Sequence, residues 1–223
     1  MEKYITDFTQ ISEAFEEIDK NITKKISVYL IGGAVLLYHG AKPGTKDIDL
    51  IVNSKEEYES LINTLKKNDF ALEKPTREYH KLNLENILIK DNYRFDIFNK
   101  IVCNNLFLSE NMIKRAKLIK EYKNIKLFTC SLEDILVFKS ITDRDGDIDD
   151  CYFLAEKNTP DWEIILNEIK YQVEKSGNDV WITWFEERLN LLEDRKINIP
   201  ILKEIRKLSL KYYKELEKKL KDQ

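Results

Sequence analysis

The sequence predicts an α+β fold, in which strand-like and helix-like stretches are interspersed through about the first 130 residues and only helical patterns follow. Three observations carry this. ISVYLI (26–31) stops at Gly32-Gly33 and gives way to the helical run AVLLYHG (34–40). DIDLIV (47–52) and YRFDIFNKIV (93–102) have the alternation and the β-branched and aromatic content of strands. After IKLFTC (125–130) no strand pattern returns. The expected organisation is an α/β core over 1–130 and a helical C-terminal region over 131–223.

Taken in order, Phe8, Ile11, Phe15 and Ile18 recur at helical spacing and predict an amphipathic first helix. The strand at 26–31, the glycine turn and a short helix ending at Gly40 follow. In DIDLIV, Ile48, Leu50 and Val52 share one face and Asp47 and Asp49 the other. Ser54 with Glu57 forms a capping box for a helix carrying Tyr58, Leu61, Ile62 and Leu65. KLNLENILIK (81–90) and the stretch from Tyr93 read as a hairpin turning at Asp91-Asn92. A helix around 110–116 and the strand at 125–130 complete the core, and Ser131 with Asp134 caps the next helix. Thr159-Pro160 predicts a cap followed by proline at the first helical position. Asn178 or Asp179 starts a helix through Trp181 to Leu192, in which Trp181, Trp184 and Phe185 are expected in the core. Ile201, Ile205, Leu208, Tyr212, Leu216 and Leu220 mark a long last helix.

Composition narrows the function classes. The 223 residues hold 37 Lys and Arg against 40 Asp and Glu, so no whole-chain positive excess points to non-specific nucleic-acid binding. With 43% hydrophobic residues and only 6 Gly and 4 Pro, the chain is ordered and not linker-like. Three Cys are too few for a disulfide scaffold or a four-Cys zinc site, and a reducing cytoplasm fits them. No apolar run reaches a membrane span, and the N-terminus has no signal-peptide pattern, so neither membrane nor export is expected. Charge is uneven: residues 131–195 carry 17 acidic against 7 basic side chains, and 196–223 carry 9 basic against 4 acidic. Either the last helix packs its Lys against the acidic segment or it presents an RNA-binding face.

The chemistry concentrates on acids. Asp47 and Asp49, two apart on a strand, place like charges side by side, an arrangement that invites Mg²⁺ or Mn²⁺. Asp96, between Phe95 and Ile97, is a third candidate metal ligand. Taken singly, each could be a solvent-facing acid on a half-buried sheet. If all three converge, the metal-free chain suffers their repulsion and Asp96→Asn should relieve it. At Gly32 and Gly33 the missing side chains let backbone N–H groups approach phosphate oxygens. Lys139 shares a helical stripe with Leu132, Ile135 and Leu136, an inward position where an ammonium needs an anion; a triphosphate or a snorkelling side chain would both answer. Asp147 could cap a helix, and Arg144 could pair with Asp150. His39 ends a helical turn, where imidazolium would suit the helix dipole, and neither it nor His80 has zinc-ligand neighbours. The P-loop pattern is absent.

The order apolar-Gly-Gly, thirteen residues, Asp-Ile-Asp-Leu, then Phe-Asp-Ile resembles the signature of the DNA polymerase β-like nucleotidyltransferase superfamily. The spacing of Lys139, Arg144, Asp147 and Asp150 is similar to the later motif of the AbiEii-like toxins and related minimal nucleotidyltransferases. The resemblance covers about residues 26–156. It implies a mixed sheet flanked by helices and transfer of a nucleoside monophosphate from a triphosphate such as ATP to an acceptor hydroxyl. Asp47, Asp49 and Asp96 would be catalytic and metal-binding and Lys139 catalytic; Gly32, Gly33, Lys139, Arg144 and Asp147 would bind the nucleotide. The acceptor could be RNA, protein or a small molecule, and a toxin would have an antitoxin-like partner. Many relatives place Ser after the first glycine, where this chain has Gly33. A non-catalytic nucleotide-binding or partner-binding module is the competing expectation.

Overall fold

The computed structural model describes residues 4–75, 84, 86–103, 106–142 and 144–221. The chain divides into two compact units, Met1–Ile135 and Leu136–Gln223.

The first unit is built on a seven-stranded mixed sheet in the order β3-β4-β5-β2-β1-β9-β8. Helix α1 (Phe8–Asn21) opens with an Asp7–Gln10 capping box and buries Ile11, Phe15 and Ile18, as the spacing requires. Strand β1 (Ile26–Leu30) runs into α2 (Gly32–Tyr38) and returns antiparallel as β2 (Ile48–Val52). Ser54 caps α3 (Lys55–Lys67) by accepting the Glu57 N–H. Strands β4 (Asn86–Lys90) and β5 (Tyr93–Asn99) form the hairpin, with Asp91 in the left-handed conformation (φ 53°) that a tight turn demands. The part of the expected strand at 81–83 and 85, and His80, lie outside the described residues. After β5, Lys100 at φ 62° ends the run, and β6 (Ile101–Val102) pairs with β7 (Leu106–Phe107) instead. Helix α4 (Glu110–Arg115) precedes β8 (Lys117–Glu121) and β9 (Ile125–Thr129), the latter parallel to β1.

Three short strands have no counterpart in the sequence reading. β3 (Ala71–Glu73) and β8 are sheet edges, mostly exposed, so neither shows a buried alternation; β7 has only two residues. One face of the central strands is closed by helices and aromatic rings: Phe95 meets Phe15 at 5.8 Å and Phe70 at 5.4 Å, both edge-on. The buried Asp19 accepts the backbone N–H groups of Lys123, Asn124 and Ile125 at 2.8 to 3.1 Å, fixing the β8–β9 turn on α1.

Helix α5 (Leu132–Ser140) runs across the boundary between the units, and α6 (Asp145–Lys157), α7 (Trp162–Ser176), α8 (Trp181–Asp194) and α9 (Leu202–Lys221) are helical as expected. The start of α7 is displaced from Thr159-Pro160: Asp161 caps it, accepting the N–H groups of Glu163 and Ile164. Its carboxylate is a better acceptor for two amides than the Thr159 hydroxyl. Trp181 and Phe185 are buried, but Trp184 is 37% exposed, on the outer side of the same helix. Helix α9 buries only Leu202, Ile205 and Ser209. No helix among the described residues is long and apolar enough to cross a membrane.

Candidate active site

In the first unit the acids meet through the sheet register. β2 and β5 are parallel, with Asp49 opposite Asp96, so the two side chains leave the same face one strand spacing apart. Their neighbours Ile48, Leu50, Phe95 and Ile97 are fully buried on the other face, which fixes which way the acids point. Asp47 lies one residue before β2. Its carbonyl accepts a hydrogen bond from the Thr45 hydroxyl at 3.0 Å, and Thr45 is paired through both backbone groups with Ile5.

The glycines are shaped around this edge. Gly32 has φ +60°, and a Cβ built there would lie 2.1 Å from Asp49 Oδ2. The carboxylate therefore rests against the bare α-carbon, and only glycine admits both the backbone conformation and the contact. A Cβ at Gly33 would meet Thr45 Oγ1 at 2.4 Å. That explains why a serine does not stand at this position: the space its side chain would need is filled by the threonine hydroxyl.

Asp96 is buried and held by Arg94, whose Nε and a terminal nitrogen each reach one carboxylate oxygen at 2.7 Å. This fork removes the premise that Asp96 contributes only repulsion in the metal-free protein, so the expected stabilisation by Asp96→Asn does not follow. Arg94 and Thr45 were not singled out in the sequence. The signal for Arg94 was present, because residues two apart on a strand share a face; nothing local marks Thr45.

The second unit gathers the later motif. Lys139 is buried and bonds Asp147 at 2.6 Å and Asp150 at 2.8 Å, so both acids supply the anion its inward position requires. Asp147 also takes the Thr142 hydroxyl and the Arg144 guanidinium. Burial by itself would raise the Asp147 carboxyl, but the Lys139 and Arg144 charges prevail and lower it to about 2. Burial opposes the Lys139 ammonium in the same way, and the two carboxylates prevail and raise it. Arg188 donates to the Thr142 carbonyl, tying α8 to the α5–α6 connection. The structure thus brings Gly32, Asp49 and Asp96 together in one unit, with Gly33 against Thr45 and Asp47 one residue before β2, and Lys139, Arg144, Asp147 and Asp150 together in the other. His39 does not favour imidazolium: burial, and then Lys117, lower it below its ordinary value.

The residues beside Gly32 fit a hard divalent cation by donor chemistry. Asp47, Asp49 and Asp96 offer only oxygen, and Mg²⁺ typically takes one or two protein carboxylates while substrate phosphates and water complete its shell. Among the described residues no group of three or more His, Cys, Asp or Glu is poised around a common metal position.

The sequence profile of a nucleotidyltransferase family of unknown function (DUF6036) matches residues 6–191. No curated protein matches the chain. Among solved structures, it is similar to ANT(2")-Ia, determined in complex with adenylyl-2"-tobramycin, at 9% identity over 76% of this chain and 98% of that one, with a TM-score of 0.49. It is also similar to a Thermotoga maritima protein assigned as a nucleotidyltransferase, at 14% identity over 56% and 80% of the two chains and a TM-score of 0.38. An H. pylori protein assigned likewise shows 14% identity over 94% and 96%, with a TM-score of 0.39.

Proposed function

Because the chain belongs to the DUF6036 family of nucleotidyltransferases, we propose that it moves a nucleoside monophosphate from a triphosphate to an acceptor hydroxyl through the acids around Gly32. The observation that carries the assignment is the placement of Asp49 opposite Asp96, with the Asp49 carboxylate seated on the bare Gly32 α-carbon. Gly32 and Gly33 let Asp49 and Thr45 close against the start of α2, and the backbone N–H groups there would face the phosphates. Asp47 and Asp49 would hold Mg²⁺ or Mn²⁺, with Asp96 alongside. When bound, the ion supplies charge neutralisation on the triphosphate oxygens. Asp96 stands beside Asp49 to accept the acceptor's proton, as that hydroxyl oxygen bonds to the α-phosphorus and the bond to pyrophosphate breaks.

In the second unit, Lys139 is proposed to act with Arg144 and Asp147 toward the nucleotide. Lys139 and Arg144 both already pair with Asp147, so a phosphate reaching this cluster would share their charges with that carboxylate. A toxin paired with an antitoxin-like protein is a narrower form of the reading, supported by the resemblance of this cluster's spacing. Unchanged growth on expression of the wild type would count against it.

The test is incubation with each labelled triphosphate, Mg²⁺ or Mn²⁺, and total RNA or protein extract, with Asp49→Asn in parallel. Label transfer by the wild type and none by the variant is expected. If no triphosphate is bound or transferred, the proposal fails. Binding without transfer would instead establish the non-catalytic module.

A further inference from the structure

Thr45 puts a polar side chain where an apolar one would fit. It is 4% exposed, and its backbone forms an antiparallel bridge with Ile5, donating at 2.9 Å and accepting at 2.8 Å. Any residue with an N–H and a carbonyl can make that bridge, and valine would fill the same volume without burying a hydroxyl. The hydroxyl is accounted for by what it touches, and both of its neighbours belong to the candidate site.

One neighbour is the backbone of Asp47. This residue precedes the first pair of the β2–β5 ladder, Ile48 opposite Phe95, so the register that orients Asp49 and Asp96 does not extend to it. Its carbonyl accepts the Thr45 hydroxyl at 3.0 Å instead. The other neighbour is Gly33. A Cβ at that glycine would stand 2.4 Å from Thr45 Oγ1 and 3.2 Å from Thr45 Cβ. Unlike Gly32, Gly33 does not have a positive φ, so the demand for glycine there is one of room, and the threonine side chain takes that room. Asp49 is tied to the same turn twice, by its carboxylate against Gly32 and by its carbonyl, which accepts the Ile31 N–H at 3.0 Å. The turn thus carries Asp49 directly and Asp47 by way of one hydroxyl.

We infer that Thr45 is a positioning residue for the metal: its hydroxyl fixes the Asp47 backbone against the Gly33 turn, so that Asp47 and Asp49 present their carboxylates at a constant separation. A near-octahedral ion such as Mg²⁺ tolerates little displacement of its ligands, which gives that separation its value. The inference rests on the reading of Asp47 and Asp49 as metal ligands. Thr45 itself is buried and gives its proton to the Asp47 carbonyl, so it acts through Asp47 and not on the substrate.

The experiment compares the full chain with Thr45→Val and Thr45→Ser by thermal unfolding, first without ligand and then during titration with equimolar Mn²⁺ and triphosphate, each common ribonucleoside triphosphate in turn. Thr45→Val keeps the volume and the bridge and removes the hydroxyl; Thr45→Ser keeps the hydroxyl and removes a buried methyl. A merely structural role would rank the variants alike in both readouts, whereas a positioning role ranks them oppositely. Thr45→Val is expected to melt within about 5 °C of the wild type and to need on the order of tenfold more Mn²⁺ plus triphosphate for the same rise in Tm. Thr45→Ser is expected to melt below Thr45→Val and to respond to Mn²⁺ plus triphosphate as the wild type does. The inference is overturned by a Thr45→Val protein that responds like the wild type, or by a Thr45→Ser protein that has lost the response too. It is also overturned by a Thr45→Val protein that melts further below the wild type than that, because the hydroxyl would then be a requirement of the fold. A wild type with no response to Mn²⁺ plus triphosphate would instead remove the reading of these acids as a metal site.

Discussion

Replacing Asp96 by Asn sets two electrostatic effects of opposite sign against each other. In the metal-free protein Asp96 faces Asp49 across one strand spacing and is gripped by Arg94 at 2.7 Å through two nitrogens. With an effective dielectric of about 20, charge centres about 4 Å apart attract by about 4 kcal/mol, and like charges about 5 Å apart repel by about 3 kcal/mol. Converting two charge-assisted hydrogen bonds to neutral ones costs about 1 kcal/mol more. The Arg94 side chain is 26% exposed against 3% for Asp96, and screening trims the attraction. The balance favours the native acid by about 1 to 2 kcal/mol. For a chain of this length that corresponds to a fall of about 3 to 6 °C in Tm. The assay is thermal unfolding in chelator, then with Mn²⁺ and triphosphate. Asp96→Asn should melt below the wild type in chelator and lose much of the ligand-induced rise. A variant that melts at or above the wild type in chelator would show that repulsion from Asp49 outweighs the Arg94 fork, and would refute the reasoning. Arg94→Gln, alone and combined with Asp96→Asn, isolates the pair, because the double variant should lose less than the sum of the two.

Gly32→Ala should cost about 2 kcal/mol or more in urea unfolding and abolish the response to Mn²⁺ plus triphosphate, since the new Cβ is both strained at φ +60° and in collision with Asp49; an unchanged response would separate Gly32 from the acids. Asp19→Ala leaves three buried backbone N–H groups without their acceptor and should lower stability by about 2 to 3 kcal/mol with nucleotide binding intact, measured by the same denaturation. Asp147, lowered to about 2 from an ordinary 3.8, contributes about 2 kcal/mol that is complete above pH 3.8 and is lost as pH falls toward 2. Lys139, being raised, contributes below its ordinary 10.5 and loses that contribution as pH climbs through its folded value. Lys139→Met should flatten both limbs of the stability profile; a profile identical to the wild type would place the pH dependence elsewhere.

What could be read in advance, and what could not, divides along the range of the forces involved. Helix α3 was legible because cap and apolar spacing are local and agree, Ser54 with Glu57, and α1 was legible from its apolar spacing alone, the Asp7–Gln10 box emerging only in the structure. Strands β2 and β5 were legible because both of their faces leave a trace: the buried Ile48, Leu50, Phe95 and Ile97, and the acids between them. The edge strands β3 and β8 have no such trace, since half their hydrogen-bonding capacity faces away from the sheet and their side chains are mostly exposed. The candidate site shows the same division. Its acids announce themselves as charges among apolar neighbours, but the register that sets Asp49 against Asp96 is a property of two strands more than forty residues apart, and no local pattern encodes it. Thr45 is the extreme case. Its importance consists of a contact with Gly33 and a hydrogen bond to the Asp47 carbonyl, both made only once β1 and β2 have paired. Lys139 illustrates the converse, because its inward position was legible while the identity of its counter-ions was not: a buried ammonium demands an anion, and only the packing of α6 against α5 determines that Asp147 and Asp150 provide it. At that cluster the cations already have carboxylate partners, whereas at Gly32 the absence of a side chain is what lets the Asp49 carboxylate close against the turn.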